Sequence, residues 1–189
     1  MVRKSSLARR SKRMRVLLKK PAFLSIVLAA METFKKECFG FVLGKIDEKG
    51  FVIEHSVAMQ TAKRKFSSVE NVGKREKTIL DVCDLFWKSS RVVGDFHSHP
   101  HFKTTDLRDM SFPSKADTNG SFEGNVYFIV DIATKKREQR WKVTKDGGIS
   151  GSLGNFKLKI KAFRAPEDKK LESVKISCPI IYKLNVLKK

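Results

Sequence analysis

The stretch from Val92 to Asp117, VVGDFHSHPHFKTTDLRDMSFPSKAD, constrains this chain more than any other. It begins with the pattern of a buried strand and continues to a pair of histidines, His97 and His99. Side chains two residues apart on a strand point to the same side of a sheet, so both imidazoles face one place. Proline lacks the backbone N–H that a strand ladder uses, so Pro100 is expected to end the strand just past the pair.

Two neutral imidazoles that converge at the end of a strand suit a zinc ion, and a third ligand is then needed. Asp117 is the nearest good candidate, because it follows Ser114 in a segment typical of a loop that enters a helix. On its own, a His-x-His pair is usually accidental. Ser114-x-x-Asp117 after a proline also fits an ordinary helix N-cap with an acid in the first turn. The metal hypothesis therefore depends on the rest of the chain supplying a base and an α/β framework.

The composition indicates a folded protein. A chain of 189 residues with 41% hydrophobic residues and 14 Phe can bury a sizeable core, and one domain is the natural expectation. Its three cysteines form no C-x-x-C pair, and Cys38 and Cys83 lie in apolar patterns typical of small buried side chains. No disulfide framework is indicated, which favours a reducing, cytoplasmic location.

The charge is strongly basic, with 40 Lys and Arg against 20 Asp and Glu and a formal net charge of +20. Such an excess favours contact with something anionic, such as nucleic acid, an acidic protein or a membrane surface. The basic residues concentrate in an acid-free segment at 1–20, in a cluster at 135–145 and in the lysines of 157–161.

The first residues imitate a signal peptide, because the basic segment 1–20 precedes an apolar run at 22–30. That run is too short to span a bilayer, which needs about 20 residues. Its apolar spacing also continues into 31–37 as one amphipathic helix would. We therefore predict a soluble helix at 21–36 with a basic arm or edge strand before it, and a targeting peptide stays open as the alternative.

The remaining elements follow from hydrophobic period and turn residues. In chain order the patterns predict a strand at 38–44, a turn at 47–50, a strand at 51–57, a loop at 59–75, a helix at 77–89, a strand at 91–99, strands at 126–132, 139–145 and 156–163, and a last strand with Pro179 within 174–187. The fold class is α/β, with a mixed, largely antiparallel sheet and about two principal helices.

Two segments resemble a known family. KECFGFVLG at 36–44, with Glu37 between a helix and a hairpin, is similar to the glutamate-bearing segment of the JAMM (MPN+) metalloproteases. VGDFHSHP followed by Pro113-Ser114-x-x-Asp117 resembles their H-x-H-P…S-x-x-D signature. The resemblance implies a single MPN (JAMM)-like domain over 21–189, clearest over 21–143. It also implies helices that flank the sheet in cytidine-deaminase-like layers.

The resemblance further implies a zinc-dependent isopeptidase or peptidase related to deubiquitinases. His97, His99 and Asp117 would be the protein ligands of Zn²⁺ and would leave a fourth position for water. Glu37 would act as general base, and Ser114 would hydrogen-bond the developing oxyanion. The expected substrate is an amide or isopeptide bond at the extended C-terminal tail of a ubiquitin-like protein, and small-molecule amides stay open.

The chain departs from the family pattern in three ways. The segment 100–113 is about twice the usual length, so His101–Pro113 is either a substrate-contacting loop, with Phe102, Leu107 and Phe112 as apolar contacts, or a tolerated insertion. Asn119-Gly120 shortens the helix after Asp117. Asp95 stands where an aromatic residue is common and is expected on the histidines' side as an orienting carboxylate. His101, beyond Pro100, is expected to be solvated.

A second hypothesis belongs to another class. The basic segments also fit a non-catalytic MPN-type binding module that contacts nucleic acid or a ribonucleoprotein through phosphates. A pure binding module has no physical need for Glu37 beside the three ligands, so the complete set favours hydrolysis. The two functions are compatible, with the arm recruiting and the pocket cutting.

Overall fold

The computed structural model describes residues 14–59, 63–64, 69–70, 73–102, 112–119, 123–166 and 171–187. The strands within these ranges are β1 (Arg15–Leu18), β2 (Phe39–Asp47), β3 (Gly50–Ala58), β4 (Lys63–Arg64), β5 (Val69–Glu70), β6 (Arg91–His101), β7 (Val126–Thr134), β8 (Lys142–Val143), β9 (Ile149–Leu153), β10 (Phe156–Arg164) and β11 (Glu172–Ser177). The helices are α1 (Lys20–Glu32), α2 (Gly73–Phe86), α3 (Lys115–Asn119) and α4 (Ile180–Leu187).

The main sheet has the order β11-β1-β3-β2-β6-β7-β10-β9-β8, and β11 also pairs with β10. The pairings β1–β11, β1–β3 and β6–β7 are parallel and the others in this sheet are antiparallel, which confirms a mixed α/β fold. Because β11 bonds to both β1 and β10, the sheet closes into a barrel-like ring. The expected sheet flanked by helices is therefore found as a closed, barrel-like sheet, and cytidine-deaminase-like layering stays a prediction.

Helix α1 lies against the inner face of this curled sheet. Pro21 occupies its first turn, where a missing N–H costs nothing. Phe23, Ile26 and Val27 are fully buried in one cluster with sheet residues such as Phe96. The helix ends at Glu32, before the predicted residue 36, because the following residues form a turn that includes Lys35 at φ +91°.

Helix α2 covers part of the opposite, outer face. Ile79 and Leu80 pack against a small cluster centred on Phe41 and Met59. The helix begins before the predicted residue 77 and ends before the predicted residue 89, and the predicted loop before it contains the short β4–β5 pair. A second small buried cluster on this face is formed by Tyr127, Ile129, Phe163 and Ala165.

Two predictions about the C-terminal half were wrong. The last predicted strand ends at Ser177, and Pro179 precedes helix α4 instead of lying on an edge. Proline fits there because the N–H groups at the start of a helix have no intrahelical acceptor, so the missing N–H of proline costs no helical hydrogen bond. The alternating segment 139–145 contributes only the two residues of β8, and Trp141 is instead buried against Phe23, with 5.2 Å between ring centroids.

The N-terminal boundary differs in detail from the expected basic arm or edge strand at 1–20. Residues 15–18 form β1, which pairs with β3 on one side and β11 on the other, so this strand lies inside the sheet. Residues 1–13 lie outside the described ranges, and the assignment of 21–189 to one domain stays a prediction. None of the helices in the described ranges has the length and apolar character needed to cross a bilayer.

An ion pair on β3 provides a test of this arrangement. Glu54 accepts hydrogen bonds from Lys19 Nζ (2.6 Å) and Ser90 Oγ (2.5 Å), which together lower the pKa of Glu54 to about 2. Its carboxylate thus ties the start of α1 to the loop before β6. Since the folded-state pKa is lowered, the stabilisation is present above the ordinary pKa of 4.5 and is lost as pH falls towards 2.

We expect Glu54→Gln to lower the free energy of unfolding by about 1 kcal/mol at pH 7, a value kept small because the pair is near the surface. The difference from the wild type should shrink as the pH falls from 4.5 towards 2. Urea unfolding at several pH values measures it. The control is Glu48→Gln, an exposed residue that makes no ion pair in the described ranges. An equal effect of both variants at every pH would contradict the role of this pair.

Candidate metal centre

Strand β6 presents its histidines on the outer face of the sheet. Phe96 and Ser98 point to the inner face, where both are fully buried. His97 and His99 pair in register with Ile129 and Asp131 of β7, so these four side chains share the outer face. The predicted alternation therefore places both imidazoles at one location.

Pro100 does not end the strand, which continues to His101, so that prediction was wrong. The reason is the direction of the missing donor. Ser98 N–H points towards β2 and donates to Cys38 O (3.1 Å). In a strand the N–H two residues later points the same way, so an N–H at position 100 would also face the β2 side. Strand β2 does not extend that far, because the last β6 residue that it pairs with is His97. Proline at this position therefore removes no ladder bond.

Asp117 reaches the histidines from the first turn of α3. Its Oδ1 lies 3.3 Å from His97 Nε2, while its Oδ2 accepts the Ser114 backbone N–H at 2.6 Å. Ser114 Oγ in turn accepts the Asp117 N–H at 3.2 Å, which is the reciprocal pattern of a helix cap. The capping role and the metal-ligand role are thus compatible, because the two carboxylate oxygens face different partners.

The three side chains form a group that fits a metal ion. The Nε2 atoms of His97 and His99 lie 3.1 Å apart, and one ligand atom from each of His97, His99 and Asp117 lies within 4.8 Å of the others. Two corners of a tetrahedron with bonds of about 2.0–2.1 Å are roughly 3.3 Å apart. Two ring nitrogens and a carboxylate oxygen at these separations therefore suit a tetrahedral metal with one position left open.

The charges around this group favour an ionised Asp117 and a neutral His99. Burial would lower the pKa of His97, but the hydrogen bond and charge of Asp117 raise it above its ordinary value. Burial and the neighbouring His97 lower the pKa of His99. Burial would raise the pKa of Asp117, but its contacts with His97 and Ser114 hold it well below the usual range. Asp117 is therefore ionised and His99 neutral at neutral pH, as metal ligands must be.

Glu37 stands directly before β2 and is held near the same group. The next residue, Cys38, donates its N–H to Ser98 Oγ at 2.8 Å and accepts the Ser98 N–H, so two hydrogen bonds join it to the residue between the histidines. Phe39 then pairs with His97. Burial raises the pKa of Glu37, the charge of His97 opposes that rise, and Asp117 adds to it. A half-buried carboxyl with a raised pKa accepts a proton more readily than an exposed one.

Ser98 is a positioning residue that the sequence reasoning missed. The signal was a small hydroxyl residue between two histidines on a strand, because such a residue must point into the core. A buried hydroxyl needs a hydrogen-bond partner, and here that partner is the backbone next to Glu37.

His101 is not solvated, so that expectation was also wrong. Its Nε2 lies 2.8 Å from Oδ1 of Asp131, and the two side chains are 14% and 0% exposed. Oδ2 of Asp131 is buried with no hydrogen-bond partner in the described ranges. The sequence held a signal for this pairing, because Asp131 is the one acid in the apolar pattern VYFIVDI. An acid buried in such a strand needs a polar partner. The strand extends through Pro100, which carries His101 to this partner.

Asp95 lies on the histidines' side of β6, as the alternation predicted, with Tyr127 as its partner in β7. Burial raises the pKa of Asp95 to about 7, against the opposing charge of His97. Its orienting role stays a prediction, since none of the described hydrogen bonds joins it to a histidine. His55 is not part of the group and stacks on Trp87, with 4.4 Å between ring centroids.

The long segment after the histidines is described only at its ends. Residues 103–111, and with them the predicted apolar contact Leu107, lie outside the described ranges. Phe102 is 37% exposed and Phe112 is 65% exposed. The Phe112 ring lies 4.4 Å from Lys161 Nζ of β10, so the segment re-enters the fold over the outer face. The choice between a substrate loop and a tolerated insertion stays open.

Comparisons with known proteins agree with this geometry. A family model described as prokaryotic homologs of the JAB domain matches residues 19–144. The chain is 30% identical over 125 residues to the Lys-63-specific deubiquitinase BRCC36 of Xenopus laevis, covering 60% of this chain and 47% of that protein. The same protein of Xenopus tropicalis matches with the same identity and coverage. This chain thus spans about half the length of the curated relatives it matches.

The fold also matches a solved structure. The solution structure of protein DSY2949 from Desulfitobacterium hafniense is similar with a TM-score of 0.56 at 17% identity, and the match covers 86% of this chain and 92% of that one. At this identity the likeness concerns the fold alone.

Substitution of single histidines tests the centre. We expect the purified wild type to carry about one metal ion per chain and His97→Ala to carry almost none, because two ligands rarely hold zinc. His101→Ala is the matched control on the same strand, and it should keep about one ion per chain, since the His101 ring is bound to Asp131. Elemental analysis of the purified proteins measures both. Metal loss in His101→Ala with retention in His97→Ala would contradict this assignment.

Proposed function

This chain belongs to the family of prokaryotic homologs of the JAB domain, and we propose that it is a zinc-dependent hydrolase of amide or isopeptide bonds. The observation that carries the proposal is the convergence of a base and three ligands. Glu37 is held beside His97 and His99 by the two hydrogen bonds between Cys38 and Ser98. A carboxylate base, three protein ligands and an open position are what hydrolysis needs without a covalent intermediate.

The substrate we propose is the C-terminal tail of a ubiquitin-like protein. The support is the 30% identity over 125 residues to a Lys-63-specific deubiquitinase. An extended tail can add as a strand to a free sheet edge, and the edge of β6 beyond its pairing with β2 is left without a strand partner in the described ranges. The net charge of +20 would favour substrates with acidic surfaces.

His97, His99 and Asp117 would hold the zinc ion through two ring nitrogens and one carboxylate oxygen. When bound there, zinc would supply a Lewis acid that makes a water molecule more acidic and polarises the scissile carbonyl. Glu37 would accept the proton from the attacking water and pass it to the leaving amine. Its raised pKa matches this task, because a base that must also act as an acid works best with a pKa near the working pH.

Ser114 would stabilise the oxyanion. Its hydroxyl oxygen accepts the Asp117 N–H, so its own proton remains available for donation to a developing negative charge. The same contact means that Ser114 also holds Asp117 in place. Loss of its hydroxyl is therefore expected to weaken both metal binding and catalysis.

We also infer a reducing, cytoplasmic location. None of Cys38, Cys83 and Cys178 forms a disulfide, all three are buried, and burial raises the pKa of Cys178 to about 12. Buried thiols with raised pKa values are inert, so they act as small apolar side chains.

Glu37→Gln separates catalysis from metal binding. We expect hydrolysis of a ubiquitin-like protein joined through its C-terminal carboxyl to a lysine side chain to fall by about 10²–10⁴-fold, because the amide cannot accept the water proton. Metal content should stay at the wild-type level, since Glu37 is not among the three grouped ligands.

A gel-based cleavage assay with elemental analysis of the same samples measures both effects. Glu48→Gln, on the exposed turn between β2 and β3, is the matched control and should cleave like the wild type. Full cleavage by Glu37→Gln, or cleavage by metal-free wild type, would show that the proposed chemistry is wrong.

A further inference from the structure

A second surface of the protein forms a groove of about 730 Å³ on the side of the sheet that carries β1 and β11. Four of its lining residues are the exposed cations Arg15, Lys49, Lys145 and Lys175, which we call the basic groove. They come from four separate parts of the chain: β1, the β2–β3 turn, the turn before β9, and β11. Their convergence therefore results from the tertiary fold and not from a local run of basic sequence.

The backbone holds these four residues in fixed relation. Arg15 and Lys175 are direct partners in the parallel β1–β11 pairing. Arg15 N–H donates to Lys49 O at 3.1 Å, and Ile176 N–H donates to Gly147 O at 2.8 Å. The turn that carries Lys145 is thus fastened to the strand that carries Lys175. The groove is a rigid surface in which like charges are neighbours.

The acids that line the same groove do not neutralise it. Asp146 bonds to Lys161 Nζ at 2.7 Å and to Lys159 Nζ at 3.2 Å. Glu172 bonds to Arg164 at 2.6 Å. In the described part of the chain, the four cations of the basic groove therefore form no ion pair. Like charges opposite each other on neighbouring strands are destabilising, and a bound anion would relieve that repulsion.

We propose that the basic groove binds the phosphate backbone of nucleic acid. Lysine is depleted in the cores of protein interfaces, which are anchored by aromatic residues, whereas Lys and Arg dominate contacts to phosphates. Three of the four cations are lysines, and no aromatic residue lines the groove in the described ranges. Without a stacking platform, the contacts reach phosphates and not bases, so binding is insensitive to sequence.

Met14 lines the groove, and the sequence before it, residues 1–13, contains six Lys and Arg and no acid. The groove is separate from the metal ligands and from Glu37, so this proposal does not depend on hydrolysis.

Two double variants of the full chain test the proposal. Arg15→Gln with Lys175→Gln removes two groove cations, and Lys88→Gln with Lys183→Gln removes two exposed lysines from elsewhere on the surface. Both lower the net charge equally, so any difference between them reports position. The measurement is fluorescence anisotropy of a labelled 20-nucleotide oligouridine at several salt concentrations, with thermal melting as the check on folding.

We expect the groove variant to bind about tenfold more weakly or worse at low salt. The slope of log affinity against log salt should be shallower by about 1.4 for this variant. The variant loses two phosphate contacts, and each contact to a single strand contributes roughly 0.7 to the slope. The control variant should keep the wild-type slope.

Equal losses in both variants would overturn the proposal, because net charge alone would then explain binding. A competition experiment gives a second outcome that would overturn the proposal. If polyglutamate displaces the labelled oligouridine as well as unlabelled oligouridine does at the same charge concentration, the groove binds acidic proteins instead.

Discussion

The candidate site depends on the pair of hydrogen bonds between Cys38 and Ser98. These bonds fasten the start of β2 to the middle of β6, although the two residues are 60 positions apart in the chain. Glu37 precedes one partner, and His97 and His99 flank the other. Because the partners are buried backbone and hydroxyl groups, leaving them unpaired would be costly, so the fold enforces the contact. Glu37 is therefore brought towards the histidines as a consequence of strand pairing.

The Asp117 carboxylate shows how a site can use an ordinary structural motif. Its Oδ2 and backbone N–H close a reciprocal cap with Ser114, and its Oδ1 is left facing His97. The cap fixes the rotation of the carboxylate, which a flexible loop alone would not do. Helix α3 has only five residues, so this cap replaces the rigidity that a longer helix would supply. The shortening after Asp117 that the sequence suggested is thus compatible with an ordered ligand.

Local patterns predicted the part of the structure that depends on local chemistry. Period-two alternation placed His97 and His99 on one face, and turn residues located the β2–β3 hairpin. Three of the failures involve distant partners. Closure of the sheet through β11, the path of β6 through Pro100 and the pairing of His101 with Asp131 each depend on which strand lies alongside. A sequence shows that a residue will be buried or will need a partner, but not which partner the topology supplies.

The outer face of the sheet also explains why basic residues and a metal-binding group occur in one small protein. Strand pairing places two rows of residues across β6, β7 and β10. One row contains His97, Ile129 and Lys161, and the other contains His99, Asp131 and Lys159. Both lysines are held by Asp146, whose turn is fastened to β11. Asp146 thus neutralises two cations that lie in register with the histidines, whereas the four cations of the basic groove form no ion pair in the described ranges. This separation keeps positive charge from competing with a metal ion at the histidines while leaving a positive surface elsewhere on the molecule.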